Sequence, residues 1–154
     1  MLTYLKFLLK STNHHGVHSP FVFDYLTKCL YKSPRNSRDR LNNVVAKSIP
    51  YFNCETAWIE DNSLKGLFPQ LTYGQYPLDI LILQNFNLNT LLELHIKNRI
   101  HNKTLIIVQH LEKHQKEWQK AVTHTKITVS MDCFVLGILF IRKEQAKEHF
   151  TIRL

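Results

Sequence analysis

The chain has 154 residues, 44% of them hydrophobic, and carries 20 Lys and Arg against 12 Asp and Glu, a formal net charge of +8. This is the size of a single domain, 1–154, with enough apolar material for a core, which excludes wholesale disorder. No apolar run reaches the roughly 20 residues that cross a bilayer, and the three cysteines (Cys29, Cys54, Cys133) show neither pairing nor metal spacing, so a reducing cytoplasm is the expected location.

The charge is uneven. Residues 1–50 hold eight Lys and Arg, at positions 6, 10, 28, 32, 35, 38, 40 and 47, against Asp24 and Asp39. Such a section attracts nucleic acid, an anionic surface or an acidic partner, or simply solvates the protein. Leu2, Leu5, Leu8 and Leu9 fall at helical spacing. With Lys6 and Lys10 and no small-residue cleavage site, this opening reads poorly as a signal peptide. "STNHHGVHSPF" breaks the pattern at Gly16 and Pro20, and "FVFDYLTKCLYK" resumes it. After the polar linker "SPRNSRDR", "LNNVVAKSIPYF" predicts another helix, stopped near Pro50. Residues 1–50 therefore form a helical section, and the texture changes after them.

"TAWIE", "LDILILQ" (78–84) and "TLIIVQ" (104–109) are apolar runs of the kind buried on both faces of a parallel sheet. "NTLLELHIKNRIH", capped by Asn89 or Thr90, and "LEKHQKEWQKAVTH" predict helices between and after the later runs. The alternation implies βαβ units over 51–154. "KITVSMD" and "FVLGILFIRK" lie too close for a parallel crossover and are expected to pair antiparallel, with Gly137 as a bend or bulge. Phe150 and Ile152 of the tail dock back.

Two long segments carry a resemblance. "YLKFLLKSTNHHGVHSPFVFDYLTKCLY" and "KITVSMDCFVLGILFIRKEQAKEHFTIRL" resemble the two ends of a bacterial family of class I S-adenosylmethionine-dependent methyltransferase-like proteins of the O-methyltransferase type. The resemblance implies an α/β, Rossmann-like methyltransferase fold, here truncated. About five strands are expected in a mixed sheet, with a C-terminal antiparallel pair and a helical N-terminal section. It also implies a cofactor loop of the form E-x-G-x-x-x-G after the first strand. In "IEDNSLKG", Glu60, Asn62 and Gly66 occupy the acidic and two glycine positions. Asn is the non-glycine residue that best tolerates a left-handed turn, so Asn62 is expected to keep the bend, and Gly66 the helix start. Only "LFPQLTYGQYP" then separates Gly66 from Leu78, too short for the two βα units the family places there. Where the family carries acids at later strand ends, this chain has Gln84 and Asn85, then Gln109 and His110. Amides are poor metal ligands and poor bases.

Other constellations are weaker. His14, His15 and His18 lack a converging fourth ligand, and suit a capping turn better than zinc. With Ser19 and Tyr25, His18 could instead cover a site mouth. His110 and His114 stand at i, i+4 but need a third ligand from elsewhere, so exposed helix histidines are the simpler reading. Cys133 has no adjacent histidine and reads as a packed thiol.

Three functions follow. The first is a degenerate methyltransferase-like protein that binds a ligand or partner without methyl transfer, with no catalytic residue, metal or cofactor. The second is an active enzyme using S-adenosylmethionine, its site completed in a dimer. The third is a basic module for nucleic acid or a membrane surface. The missing strands would leave the first strand as a bare sheet edge, unless a homodimer or "LFPQLTYGQYP" covers it.

Overall fold

The structure is a computed structural model and describes residues 2–154. It opens with helix α1 (Leu2–Lys10), α2 (Pro20–Tyr25) and α3 (Arg40–Phe52). The helix begun by α2 widens into one π turn at Leu26–Leu30. Helix α3 stops near Pro50, as expected, with the proline in its last turn. The helix runs on to Phe52 and closes on Asn53, whose left-handed backbone (φ 53°) lets its N–H reach back to the last carbonyls.

The rest is an α/β unit. In chain order come β1 (Thr56–Ile59), α4 (Asn62–Lys65), β2 (Thr72–Tyr73), β3 (Leu78–Leu83), α5 (Leu88–Ile96) and β4 (Ile100–Gln109). Then follow α6 (Gln115–Thr123), β5 (Val129–Asp132), β6 (Leu136–Phe140) and β7 (Glu148–Thr151). The seven strands form one mixed sheet in the order β2-β1-β3-β4-β6-β5-β7. Strands β2, β1, β3 and β4 are mutually parallel; β6 is antiparallel to both β4 and β5. The last two strands of the expected set therefore do pair antiparallel. Seven strands replace the expected five or so because β2 and β7 join the edges. Helix α5 starts at Leu88 on an Asn87 cap, ahead of the expected Asn89 or Thr90.

Both faces of the sheet are covered, which explains the unbroken apolar runs. Ile80, Ile82, Leu105 and Ile107 point to the face packed by Val22, Tyr25, Leu26, Val45 and Ile49 of the N-terminal helices. Leu81, Leu83, Ile106 and Val108 point to the face packed by Leu91, Trp118 and Ala121. Each such aliphatic side chain contributes about 1.5–3 kcal/mol by leaving water. Ser19 caps α2 and Tyr25 is fully buried, its hydroxyl 2.7 Å from Ser48 Oγ. These two residues belong to the core and do not cover a site mouth.

The edge of β1 is covered from within the chain. Thr72 and Tyr73 of the intervening segment pair with Thr56 and Ala57. At the other edge β7 docks on β5 with Phe150 opposite Met131, and Ile152 is buried. Thr12 then bridges to Ile152.

Asp79 locks the amino ends of three strands. Its Oδ2 accepts the N–H groups of Glu55 and Thr56 at 2.8 and 3.0 Å. Its Oδ1 lies 2.8 Å from His101 Nε2. His101 Nδ1 accepts the Lys103 N–H at 3.0 Å, so Nε2 carries the proton and donates. Burial pushes the Asp79 pKa up. The Thr56 and Glu55 amides, His101 and the Thr56 hydroxyl outweigh it and hold the carboxyl below its ordinary value. Gly137 is no bulge. It sits in register opposite Val108 and Asp132, and a Cβ there would lie 2.5 Å from the buried Trp118 ring.

Two outcomes follow. Gly137→Ala should lose about 1–3 kcal/mol by overpacking, read as a lower denaturant midpoint at unchanged m-value. The Asp79 carboxyl has a lower pKa folded than unfolded, so its stabilisation is complete above the unfolded carboxyl pKa of about 4 and is lost as pH falls through the folded value. Acid melts of Asp79→Asn should therefore start lower at neutral pH and fall less steeply below about pH 4 than the parent's.

Candidate functional site

In open α/β sheets, ligands bind beyond the carboxyl ends of the strands, where successive connections leave in opposite directions. Here that point lies between β1 and β3: β1 is flanked by β2 on one side and β3 on the other. A cleft of about 560 Å³ opens there, lined by Trp58, Glu60, Asn62, Lys65, Tyr73 and Gln84 among others. Glu60 and Asn62 both line this cleft. Gly66 does not line it.

The local geometry differs from a glycine turn. Glu60 is half-buried, and its Oε2 accepts the backbone N–H groups of Gln84 and Asn85 at 2.6 and 2.9 Å. The side chain reaches across the switch point and closes the end of β3. Asp61 is the cap of α4: its Oδ1 accepts from Ser63 N, Ser63 Oγ and Leu64 N at 2.9, 2.6 and 3.4 Å. The Ser63 hydroxyl bond is the main reason its carboxyl is held below the usual range. Asn62 is the first residue of α4 and is right-handed, not left-handed as expected from its place in the motif. Gly66 ends that helix rather than starting one, at φ −62°, where a Cβ would make only ordinary contacts at 3.6 and 3.8 Å. The expectation that Asn62 keeps a left-handed bend and Gly66 a helix start is therefore corrected. The Asp61 cap, which accepts from Ser63 two residues on, makes the turn helical at once, and no positive φ is needed.

A second, larger cleft of about 650 Å³ lies at the end of β4. Its floor is Gln109 and His110; its walls are Arg35 and Arg38 from the loop before α3, Arg40 at the first position of α3, and Phe134 and Val135 from the β5–β6 turn. Tyr4 of α1 completes it, with its ring centroid 4.9 Å from that of Phe134. His110 and Phe134 both have positive φ, 50° and 73°, which turn the chain sharply at the cleft. Composition flagged the arginines only as general basicity; their convergence depends on the fold.

The histidines separate. His110 is exposed, with Nδ1 3.8 Å from Glu112. His114 is half-buried, and its Nε2 donates to Gln84 O at 2.6 Å, tying the loops after β3 and β4 together. The His14 and His15 rings lie with centroids 4.0 Å apart, tilted by 38°, in a turn capped by Asn13. Among the described residues, no group of three His, Cys, Asp or Glu could hold a metal, and no helix is long and apolar enough to cross a membrane. Cys133 is fully buried, and burial pushes its thiol far above the reactive range. Compared with known proteins, the chain matches no family model, no curated protein and no solved structure.

Two substitutions read the loop. Glu60→Ala should cost about 1–3 kcal/mol, because two backbone amides lose a charged acceptor. Gly66→Ala should be neutral or stabilise by up to about 1 kcal/mol, because its backbone is already helical. Thermal melts with the opposite ranking would restore Gly66 as a conformationally required glycine.

Proposed function

We propose that this protein is a degenerate member of the class I methyltransferase-like proteins, which acts by binding a ligand or partner and does not transfer methyl groups. The seven-stranded mixed sheet, parallel on one side and closed by an antiparallel pair on the other, is compatible with a shortened Rossmann-like methyltransferase fold. The two terminal segments add the sequence resemblance.

The observation that carries the loss of chemistry is the state of Glu60. Its carboxylate is held by two backbone amides of the next strand's end, across the place a cofactor would enter. The adjacent acid, Asp61, is held by α4. A loop that cradles S-adenosylmethionine needs backbone at positive φ, or free of side chains, for close approach. Asn62 is right-handed and keeps its side chain at the cleft. The single connection 60–71 leads straight into the two-residue β2, so no second strand end supplies an acid for ribose hydroxyls. These residues do not fit S-adenosylmethionine, and no step is routed through it.

Calorimetric titration with S-adenosylmethionine and S-adenosylhomocysteine should show no binding below about millimolar, roughly −4 kcal/mol. Trp58 lines the cleft, so intrinsic fluorescence should stay unchanged as well. Asn62→Gly should gain no affinity, since Glu60 still spans the switch point. Micromolar binding by the parent protein would sink the proposal.

A further inference from the structure

We propose that the arginine-lined cleft at the end of β4 binds a small organic phosphate whose body is aromatic. The inference goes beyond the loss of methyl transfer and stands on a different cleft.

The first observation is an unmatched amide. Gln109 is 4% exposed, and its Nε2 is buried without a hydrogen-bond partner. Leaving such a donor unsatisfied is costly, whereas an apolar side chain of similar shape would be cheaper. Gln109 lines the cleft, and turning its amide to bring Nε2 to the cleft side lets a ligand acceptor seated there satisfy the group. Its neighbours in β4 are all aliphatic (Leu105, Ile106, Ile107 and Val108), so the amide departs from its surroundings where the strand meets the cleft.

The second observation is the charge. Arg35, Arg38 and Arg40 line the same cleft, and none of the three joins an ion pair among the described residues. Arg35 Nη2 donates only to the Arg38 carbonyl, at 3.3 Å. Two carboxylates also face the space, and both have other partners. Asp39 Oδ1 caps α3 by accepting the Asn42 N–H at 2.8 Å, and Glu112 faces His110. Three guanidinium groups against two carboxylates leave a surplus positive charge. The N-terminus of α3, a helix of 13 residues, adds about half a charge of the same sign. A phosphate dianion matches three planar five-donor groups better than a carboxylate, which offers only two oxygens.

The third observation gives the body of the ligand. The Tyr4 and Phe134 rings meet edge to face beside the arginines, and Tyr4 is 40% exposed. They form an apolar wall against which a ring can stack. The cleft volume of about 650 Å³ suits a small molecule.

Phenyl phosphate is the minimal probe, compared by calorimetry with inorganic phosphate and benzoate on the full chain. Phenyl phosphate should bind about tenfold more tightly than either, with affinity falling as salt rises. Arg35→Gln and Arg38→Gln, both at exposed positions, should each weaken it about tenfold. Gln109→Leu should weaken it too while raising the melting temperature, because it removes the unmatched amide. No binding of phenyl phosphate at about 10 mM, equal binding of benzoate, or indifference to both arginine variants would overturn the proposal. A lower melting temperature for Gln109→Leu would overturn it as well, since the fold would then depend on the amide. Binding of S-adenosylmethionine would sink the preceding reading and leave this cleft untouched, so the two fail separately.

Discussion

The carboxylate of Glu60 governs the carboxyl end of this sheet. Two backbone N–H groups at the end of β3 would otherwise lack a partner, and Glu60 Oε2 accepts both. The bond pair holds β1 and β3 together at the point where chain connections diverge. It also engages one oxygen of the acid at the cleft in structural hydrogen bonds. The atoms that steady the parallel core lie at the edge of the cleft where open α/β sheets commonly bind small molecules. His114 extends the closure, since its bond to Gln84 O fastens the following loop to the same corner.

Asp79 does the equivalent work at the opposite end. It gathers the start of β1 and the start of β4 onto β3 through amides and an imidazole. Strand β1 has four residues and borders only the two-residue β2 on its outer side. So short a strand has few ladder bonds of its own. Clamps at both ends explain how it remains part of the sheet, and how the segment 60–71 can act as a single crossover near the lower limit of about a dozen residues. The edge left by the shortened connection is then covered without a second copy of the chain.

Much of this architecture was legible from the residues, and the gaps have physical causes. "LDILILQ" and "TLIIVQ" mark β3 and β4 because burial on both faces demands unbroken aliphatic runs. The antiparallel pair follows from the few residues between β5 and β6. Strand β2 was not legible, since two residues carry no period. Strand β7 was hidden in a polar tail whose half-buried residues pair with an edge. The stop near Pro50 was legible, for α3 ends two residues later at Phe52, where a left-handed asparagine caps it. At the site, the resemblance singled out Glu60, Asn62 and Gly66 but could not give their conformations. Asn62 and Gly66 both obey the helical preference imposed by the Asp61 cap. The arginine cleft was the least legible feature, for Arg35, Arg38, Gln109 and Phe134 come from distant parts of the chain.

The polar residues at the strand ends separate by what holds them. Glu60, Asp61, Asp79 and His114 all have hydrogen-bond partners in the backbone. They stabilise the fold as it stands, and each is explained by the group it satisfies. Gln109 is different. It is as buried as the core around it, carries a polar head, and leaves a donor unpaired. A residue that only needed to fill space there would be better as leucine or methionine. Three guanidinium groups without ion pairs stand at the same cleft beside only two carboxylates, a surplus of positive charge that attracts an anion. The unmatched amide and the guanidinium groups without ion pairs thus stand together at the end of β4, whereas the acids at the junction of β1 and β3 are already held by backbone N–H groups.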